Sequence, residues 1–135
     1  MRATHIGGIL SGLPIWHLLV VTTDATGAER YYRGGPGGPG GGPTYGSIIT
    51  NDGPYVAGTV DWAPGAPSRT VMSGPTACGH DACLAAELRR IDGTGTAYAP
   101  TGPNSNTVAS TILTNCHIPR GKPVWVAPGW DDPAI

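Results

Sequence analysis

From residue 17 the chain reads His-Leu-Leu-Val-Val-Thr-Thr, a run of aliphatic and β-branched residues, then Asp24-Ala-Thr-Gly27, then Glu29-Arg-Tyr-Tyr-Arg33. An apolar run, a stretch with turn chemistry and a second β-prone run predict an antiparallel hairpin, with His17 near the start of its first strand. Between residues 46 and 74 the short runs Ser47-Ile-Ile-Thr50, Tyr55-Val56, Thr59-Val60 and Arg69-Thr-Val-Met72 alternate with Gly, Pro, Asn and Asp. Short strands joined by turns are predicted there.

The pattern then changes period. Leu84, Leu88 and Ile91 fall at helical spacing between Asp81, a residue type suited to an N-cap, and Gly93, which predicts an amphipathic helix over 82–92 with Glu87 and Arg90 on its outer face. After Pro103, Val108, Ile112, Leu113 and Cys116 share one face, and Pro119 limits a second helix downstream. Val124-Trp-Val126, between Pro123 and Pro128, reads as a last strand. Strands first and helices later, with little alternation, predict an α+β fold: an antiparallel sheet packed against two helices. The alternative architecture is a small β-barrel or roll with two appended helices.

Length adds one constraint. A chain of 135 residues suits a single domain, 1–135, with one core. The segment Gly-Gly-Pro-Gly-Gly-Pro-Gly-Gly-Gly-Pro at 34–43 has no side chain to bury and loses much entropy on ordering, which predicts a mobile surface loop. No Lys-Ser/Thr or helix signal follows it, so it does not read as a phosphate cradle.

Charge narrows the partners. Charged residues are 13% of the chain, the formal net charge is -1, and Lys and Arg are scattered apart from the pair Arg89-Arg90. This gives no footprint for nucleic acid. The apolar stretch 6–21 is broken by Gly7, Gly8, Gly12, Pro14 and His17, and no basic segment with a small-x-small cleavage site frames it. Neither a membrane span nor a signal peptide is predicted.

Three cysteines allow at most one internal disulfide. Cys78 and Cys83 form one candidate pair, and free thiols are the alternative. Cys116 ends the second predicted helix, where the negative pole disfavours a thiolate, and its position on the apolar face predicts a buried structural role. Cys78, His80, Cys83 and Cys116 together would make a tetrahedral zinc set if the helices adjoin, but no second C-x-x-C or H-x3-H element supports it. The expectation is therefore no metal and no cofactor.

Asn104-Ser105-Asn106 opens the second helix. Asn and Ser are strong N-cap residues, and the same position favours developing negative charge on a nucleophile, so cap and catalytic roles both fit. His17 on an early strand, several strands, and then Tyr98-x-Pro100 and Asn104-Ser105-Asn106 leading into a helix resemble the circularly permuted papain-like superfamily. That group includes NlpC-type cell-wall hydrolases, lecithin:retinol acyltransferase relatives and PPPDE-type isopeptidases. Serine stands here in the place of the usual cysteine.

The resemblance implies a hydrolase or acyltransferase-like domain acting on an amide or ester. Ser105 would be the nucleophile, His17 the base and Asn104 a catalytic helper, with Asn106 and Tyr98 contacting substrate. A serine hydroxyl stays protonated near neutrality and depends on its base, so His17 must lie within hydrogen-bond reach of it. The matching enzymes orient the imidazole with a polar residue on the following strand, where Tyr31 and Arg33 stand. Asp52, Asp61, Asp131 and Asp132 read as turn formers beside Gly, Pro and aromatic residues. Trp62, Tyr55, Trp125 and Trp130 read as loop or core packing ahead of sugar or peptide stacking. The alternative function is a non-catalytic binding or structural module that keeps a degenerate papain-like cleft. Partners are then a peptide, amide or ester substrate, or another protein.

Overall fold

The computed structural model describes residues 2–10, 13–38, 45–59, 61–63, 68–121 and 127–135, with side chains from residue 17 onward. Five strands form one antiparallel sheet: β1 (Arg2–Leu10), β2 (Leu13–Thr23), β3 (Glu29–Pro36), β4 (Ile48–Pro54) and β5 (Ser68–Thr70), in the order β4-β3-β2-β1-β5. Two helices, α1 (Asp81–Asp92) and α2 (Ser105–Asn115), follow the strands. The fold is α+β. Among the described residues, no helix is long and apolar enough to cross a membrane.

The hairpin between β2 and β3 forms for the local reason its sequence suggests. Asp24 Oδ1 accepts from the amides of Thr26 and Ala28 and from the Thr26 hydroxyl, while Gly27 takes φ 87°, a left-handed backbone that glycine adopts without steric cost. Strand alternation then splits the apolar run. Leu18, Val20 and Tyr32 join Leu84, Leu88, Ile91, Val108, Ile112 and Leu113 in the main core. Leu19, Val21 and Tyr31 form a smaller cluster on the other face with Tyr55. The stretch that looked broken by glycines supplies β1, which pairs with β2 along its whole length, from Arg2 opposite Val21 to Leu10 opposite Leu13.

The helices bury different amounts of themselves. α1 is amphipathic and turns Leu84, Leu88 and Ile91 inward. Asp81 is its first residue and not its cap: His80 holds the cap position, and the Asp81 carboxylate accepts from Tyr32 Oη at 2.5 Å and Thr22 Oγ1 at 2.8 Å. α2 is buried from Ser105 through Leu113, polar positions included. Its polar side chains are satisfied by neighbouring chain: Thr107 Oγ1 donates to Gly129 O (2.9 Å), Ser110 Oγ accepts from Arg120 (2.7 Å), and Thr111 Oγ1 accepts from the Ile135 amide (3.1 Å). A helix enclosed on all sides can carry Ser, Thr and Asn only where such partners exist.

Cys83 of α1 and Cys116, at the C-cap of α2, are joined by a disulfide. The candidate Cys78–Cys83 pair is thus corrected, since Cys78 is exposed with a free thiol. The zinc set of Cys78, His80, Cys83 and Cys116 falls too, because Cys83 and Cys116 are bonded to each other. The predicted loop at 34–43 is corrected in part. Gly34 to Pro36 complete β3 and pair with Ile48 to Thr50 of β4, while residues 39–44 lie outside the described residues, as does the predicted strand at 124–126.

Candidate active site

Pairing between β2 and β3 ends at Val20 opposite Tyr32, yet both strands continue, β2 back to Leu13 and β3 on to Pro36. The start of α2 closes this gap. Asn106 Oδ1 accepts the Leu18 amide at 2.7 Å, and Asn106 Nδ2 donates to Pro128 O at 2.9 Å. Val108 packs so closely on the β3 backbone that a Cβ added at Gly34 would lie 2.5 Å from its Cγ2. The glycine is therefore a close-approach position between strand and helix.

Asn104 caps α2. Its Oδ1 accepts from the amides of Asn106 and Thr107, Thr107 Oγ1 accepts the Asn104 amide in return, and Asn104 Nδ2 donates to Pro100 O and Pro128 O, both at 2.9 Å. With the cap supplied by Asn104, the Ser105 hydroxyl is not needed for helix capping. It sits in the first turn, and among the described residues no acceptor takes the Ser105 amide.

Ser105 Oγ lies 2.6 Å from His17 Nδ1, and His17 Nε2 lies 2.7 Å from Asp61 Oδ2. Because a carboxylate only accepts, Nε2 carries the ring proton and donates it to Asp61, leaving Nδ1 as the acceptor for the serine hydroxyl. Arg33 Nε makes a close ion pair with the same Asp61 oxygen. Burial alone raises the Asp61 carboxyl, but the hydrogen bond and charge from His17 and the charge of Arg33 outweigh it, so the group titrates below its ordinary value of 3.8. Asp61 is thus ionised at neutral pH.

The loop that carries Asp61 is built to present it. Tyr55 packs against Tyr31 with ring centroids 6.5 Å apart, and its hydroxyl accepts the Ala63 amide at 3.0 Å. Within the loop, Thr59 N donates to Val56 O and Trp62 N to Thr59 O. Asp61 itself has φ 64°, a left-handed conformation that Asp tolerates better than most side chains. The small cluster on the far face of the sheet therefore anchors the loop that reaches His17.

Three comparisons, with protein-family models, curated proteins and solved structures, found no match to this chain. The chemistry must be read from the geometry. A hydroxyl, an imidazole and an ionised carboxylate in one hydrogen-bonded line make a general base for a serine nucleophile. The Ser105 amide, at the positive end of α2, is placed to donate to negative charge developing beside the hydroxyl. Ser105 is 3% exposed, while the His17 side chain is 24% exposed, so solvent meets the pair mainly at the imidazole.

Ser105 and His17 are brought together from 88 residues apart. Asn104, read as a catalytic helper, is a buried cap whose amide nitrogen is taken by two carbonyls. Asn106, read as a substrate contact, is 1% exposed and joins β2 to α2. Tyr98 packs on the main core and stacks on Tyr45 with centroids 5.5 Å apart. Tyr31 and Arg33 do not orient the imidazole directly: Tyr31 belongs to the far-face cluster, and Arg33 reaches Asp61. Asp61 was missed because nothing local separates it from the other loop aspartates. Asp52 meets Arg30 at 3.4 Å and Asp131 meets Arg120 at 3.3 Å, ordinary surface pairings that leave Asp61 the carboxylate beside His17.

Proposed function

We propose that this protein is a serine-dependent hydrolase or acyltransferase-like enzyme of permuted papain-like type that acts on an amide or ester. The line Ser105–His17–Asp61 is the single observation that carries the reading. The order of elements, with the base on an early strand and the nucleophile at a later helix start, supports the papain-like assignment.

In the first half-reaction Ser105 Oγ attacks the substrate carbonyl carbon and His17 Nδ1 takes the hydroxyl proton. The carbonyl π pair moves onto oxygen, facing the Ser105 amide. When that pair returns, the bond to the leaving nitrogen or oxygen breaks, and His17 Nδ1 gives its proton to the departing group. A water, or an acceptor alcohol or amine, then attacks the acyl-serine with the proton passing to His17, and Ser105 is released with its proton restored. Asp61 stays ionised throughout and stabilises the imidazolium. General-base assistance of this kind is worth about 10²- to 10⁴-fold, and an oxyanion donor about 10²- to 10³-fold.

Asp61 explains how serine serves where the resembled enzymes use cysteine. A thiol needs little help to ionise, whereas a hydroxyl needs a strong base, and an ionised carboxylate behind the imidazole supplies one. The test is labelling with a fluorophosphonate, followed by peptide mass spectrometry. Modification at Ser105 that disappears in His17→Ala supports catalysis. A folded wild-type protein left unlabelled at Ser105 would turn the reading toward the non-catalytic module.

A further inference from the structure

Arg33 lies on the same face of β3 as Tyr31, one step beyond the last β2–β3 pair, directly opposite Asn51 of β4. Its guanidinium Nη1 donates to Asn51 Oδ1 at 3.1 Å while Nε meets Asp61 Oδ2, the oxygen that also receives His17 Nε2–H. The side chain is 11% exposed. Its path along the strand exists because residue 35 is glycine: a Cβ there would lie 2.5 Å from Arg33 Nη2. Ordering an arginine side chain costs rotamer entropy, and burying its charge costs more unless a carboxylate faces it. Here the cost is spent against one carboxylate, that of the candidate triad.

We propose that Arg33 is a positioning residue for the active site, held by Asn51 and by the space at Gly35, and that it fixes Asp61 in the orientation in which one oxygen accepts from His17. The inference rests on the proposed function for its catalytic meaning but stands on its own geometry. With Arg33 present, Asp61 lies between a permanent cation, the guanidinium, and the imidazole that gains a proton during the reaction, and both hold its carboxylate toward His17. With Arg33 removed, the left-handed loop at Asp61 keeps its backbone anchors but the carboxylate gains rotational freedom, and the Nε2–H of His17 loses a fixed acceptor. A lysine at 33 restores charge to the pocket but not the planar fork that meets Asn51 and Asp61 together.

The experiment compares wild type, Arg33→Met, Arg33→Lys and Gly35→Ala, each checked for folding by circular dichroism, with two readouts. The first is the second-order rate of fluorophosphonate labelling at Ser105. Arg33→Met should slow it about 10- to 100-fold, the scale typical of losing a group that orients a reacting imidazole, with Arg33→Lys recovering part of the loss. Gly35→Ala keeps the charge and displaces the guanidinium, and should slow labelling as well. The second readout needs no reactivity: the His17 imidazole ¹⁵N–¹H signal, which should be observable in wild type because Nε2–H is hydrogen-bonded to Asp61, and which should broaden or vanish in Arg33→Met. Wild-type labelling rates together with an unchanged His17 signal in folded Arg33→Met would overturn the inference. If wild type is not labelled at all, the proposed function fails, and the His17 signal alone still decides whether Arg33 orders the Asp61–His17 pair. Should Arg33→Met not fold, Gly35→Ala carries both readouts.

Discussion

Asn106 and Leu18 are joined by a 2.7 Å hydrogen bond from the strand amide to the buried side-chain oxygen. That bond sets the start of α2 beside the strand that carries His17, one residue away from Leu18, while Ser105 is one residue away from Asn106. The Ser105–His17 contact is thus flanked by a second one that fixes the same two elements. Replacing Asn106 with Leu should leave the Leu18 amide and the Pro128 carbonyl without this partner. The expected cost is about 2–3 kcal/mol in chemical denaturation, with slower labelling of Ser105.

The cap and the proposed nucleophile separate by mutation. Asn104→Ala should destabilise by about 1–3 kcal/mol, because two helix amides and two partly buried carbonyls lose its side chain. Ser105→Ala should change stability by less than about 1 kcal/mol while abolishing fluorophosphonate labelling. Urea unfolding of both variants reads the difference; equal losses would contradict the assignment of the cap to Asn104.

Gly34 and Val108 should be energetically coupled. Gly34→Ala forces a methyl against Val108 Cγ2 and should cost about 1–3 kcal/mol. Trimming the helix with Val108→Ala creates room at its own cavity cost, so the double variant should be more stable than the sum of the two losses predicts. A double-mutant cycle with no coupling would mean that the helix does not press on β3 there.

The disulfide ties the helix carrying Ser105 to α1 across 33 residues of sequence. Closing a loop of that length is worth about 3–4 kcal/mol in the chain-entropy model. Unfolding with and without reductant should show a loss of this order, and the same loss should appear in the double variant Cys83→Ser with Cys116→Ser. Alkylation before reduction should modify Cys78 alone.

Alkaline pH tests the buried Tyr32–Asp81 contact. Burial and the neighbouring carboxylate push the Tyr32 hydroxyl up from 10.0 to about 12. The unfolded chain therefore ionises first, so this contribution is intact below pH 10 and is lost as pH rises toward 12. Tyr32→Phe should be less stable than wild type at pH 7 and should lose less between pH 10 and 12. Asp61 works in the opposite sense: its carboxyl is depressed, so its contribution is present above 3.8 and is lost as pH falls through the lower folded value. Asp61→Asn should flatten that acid loss and reduce labelling of Ser105 by up to about 10⁴-fold, as expected when the imidazole loses a charged partner.

Local pattern made the hairpin and both helices legible, because period-2 and period-3.6 spacing, turn residues and stops are properties of neighbouring positions. Val20 and Tyr32 face the core, and Leu84, Leu88 and Ile91 line one helix face, for reasons the sequence contains. The glycines at 34 and 35 were misread because their lack of a side chain makes room for others: Val108 of α2 on one face, and on the other Arg33, whose side chain runs back along its own strand over Gly35. No pattern within a loop records what will press against it.

The same division holds for the site. The sequence by itself determined that a histidine lies on an early strand, that a serine follows a strong cap at a helix start, and that the fold is a sheet with two helices. Only the tertiary structure decided that Asn104 and not Ser105 caps α2, that Cys83 pairs with Cys116, and that Asp61 and Arg33 complete the line behind His17. The cap rests on contacts two to three residues apart that several local choices could have satisfied, whereas the disulfide and the Ser105–His17–Asp61–Arg33 line depend on contacts between residues 28 to 88 positions apart in the chain. Such contacts are set by how the splayed strands receive α2 and how the Tyr31–Tyr55 cluster aims a loop, and local propensity carries no information about either.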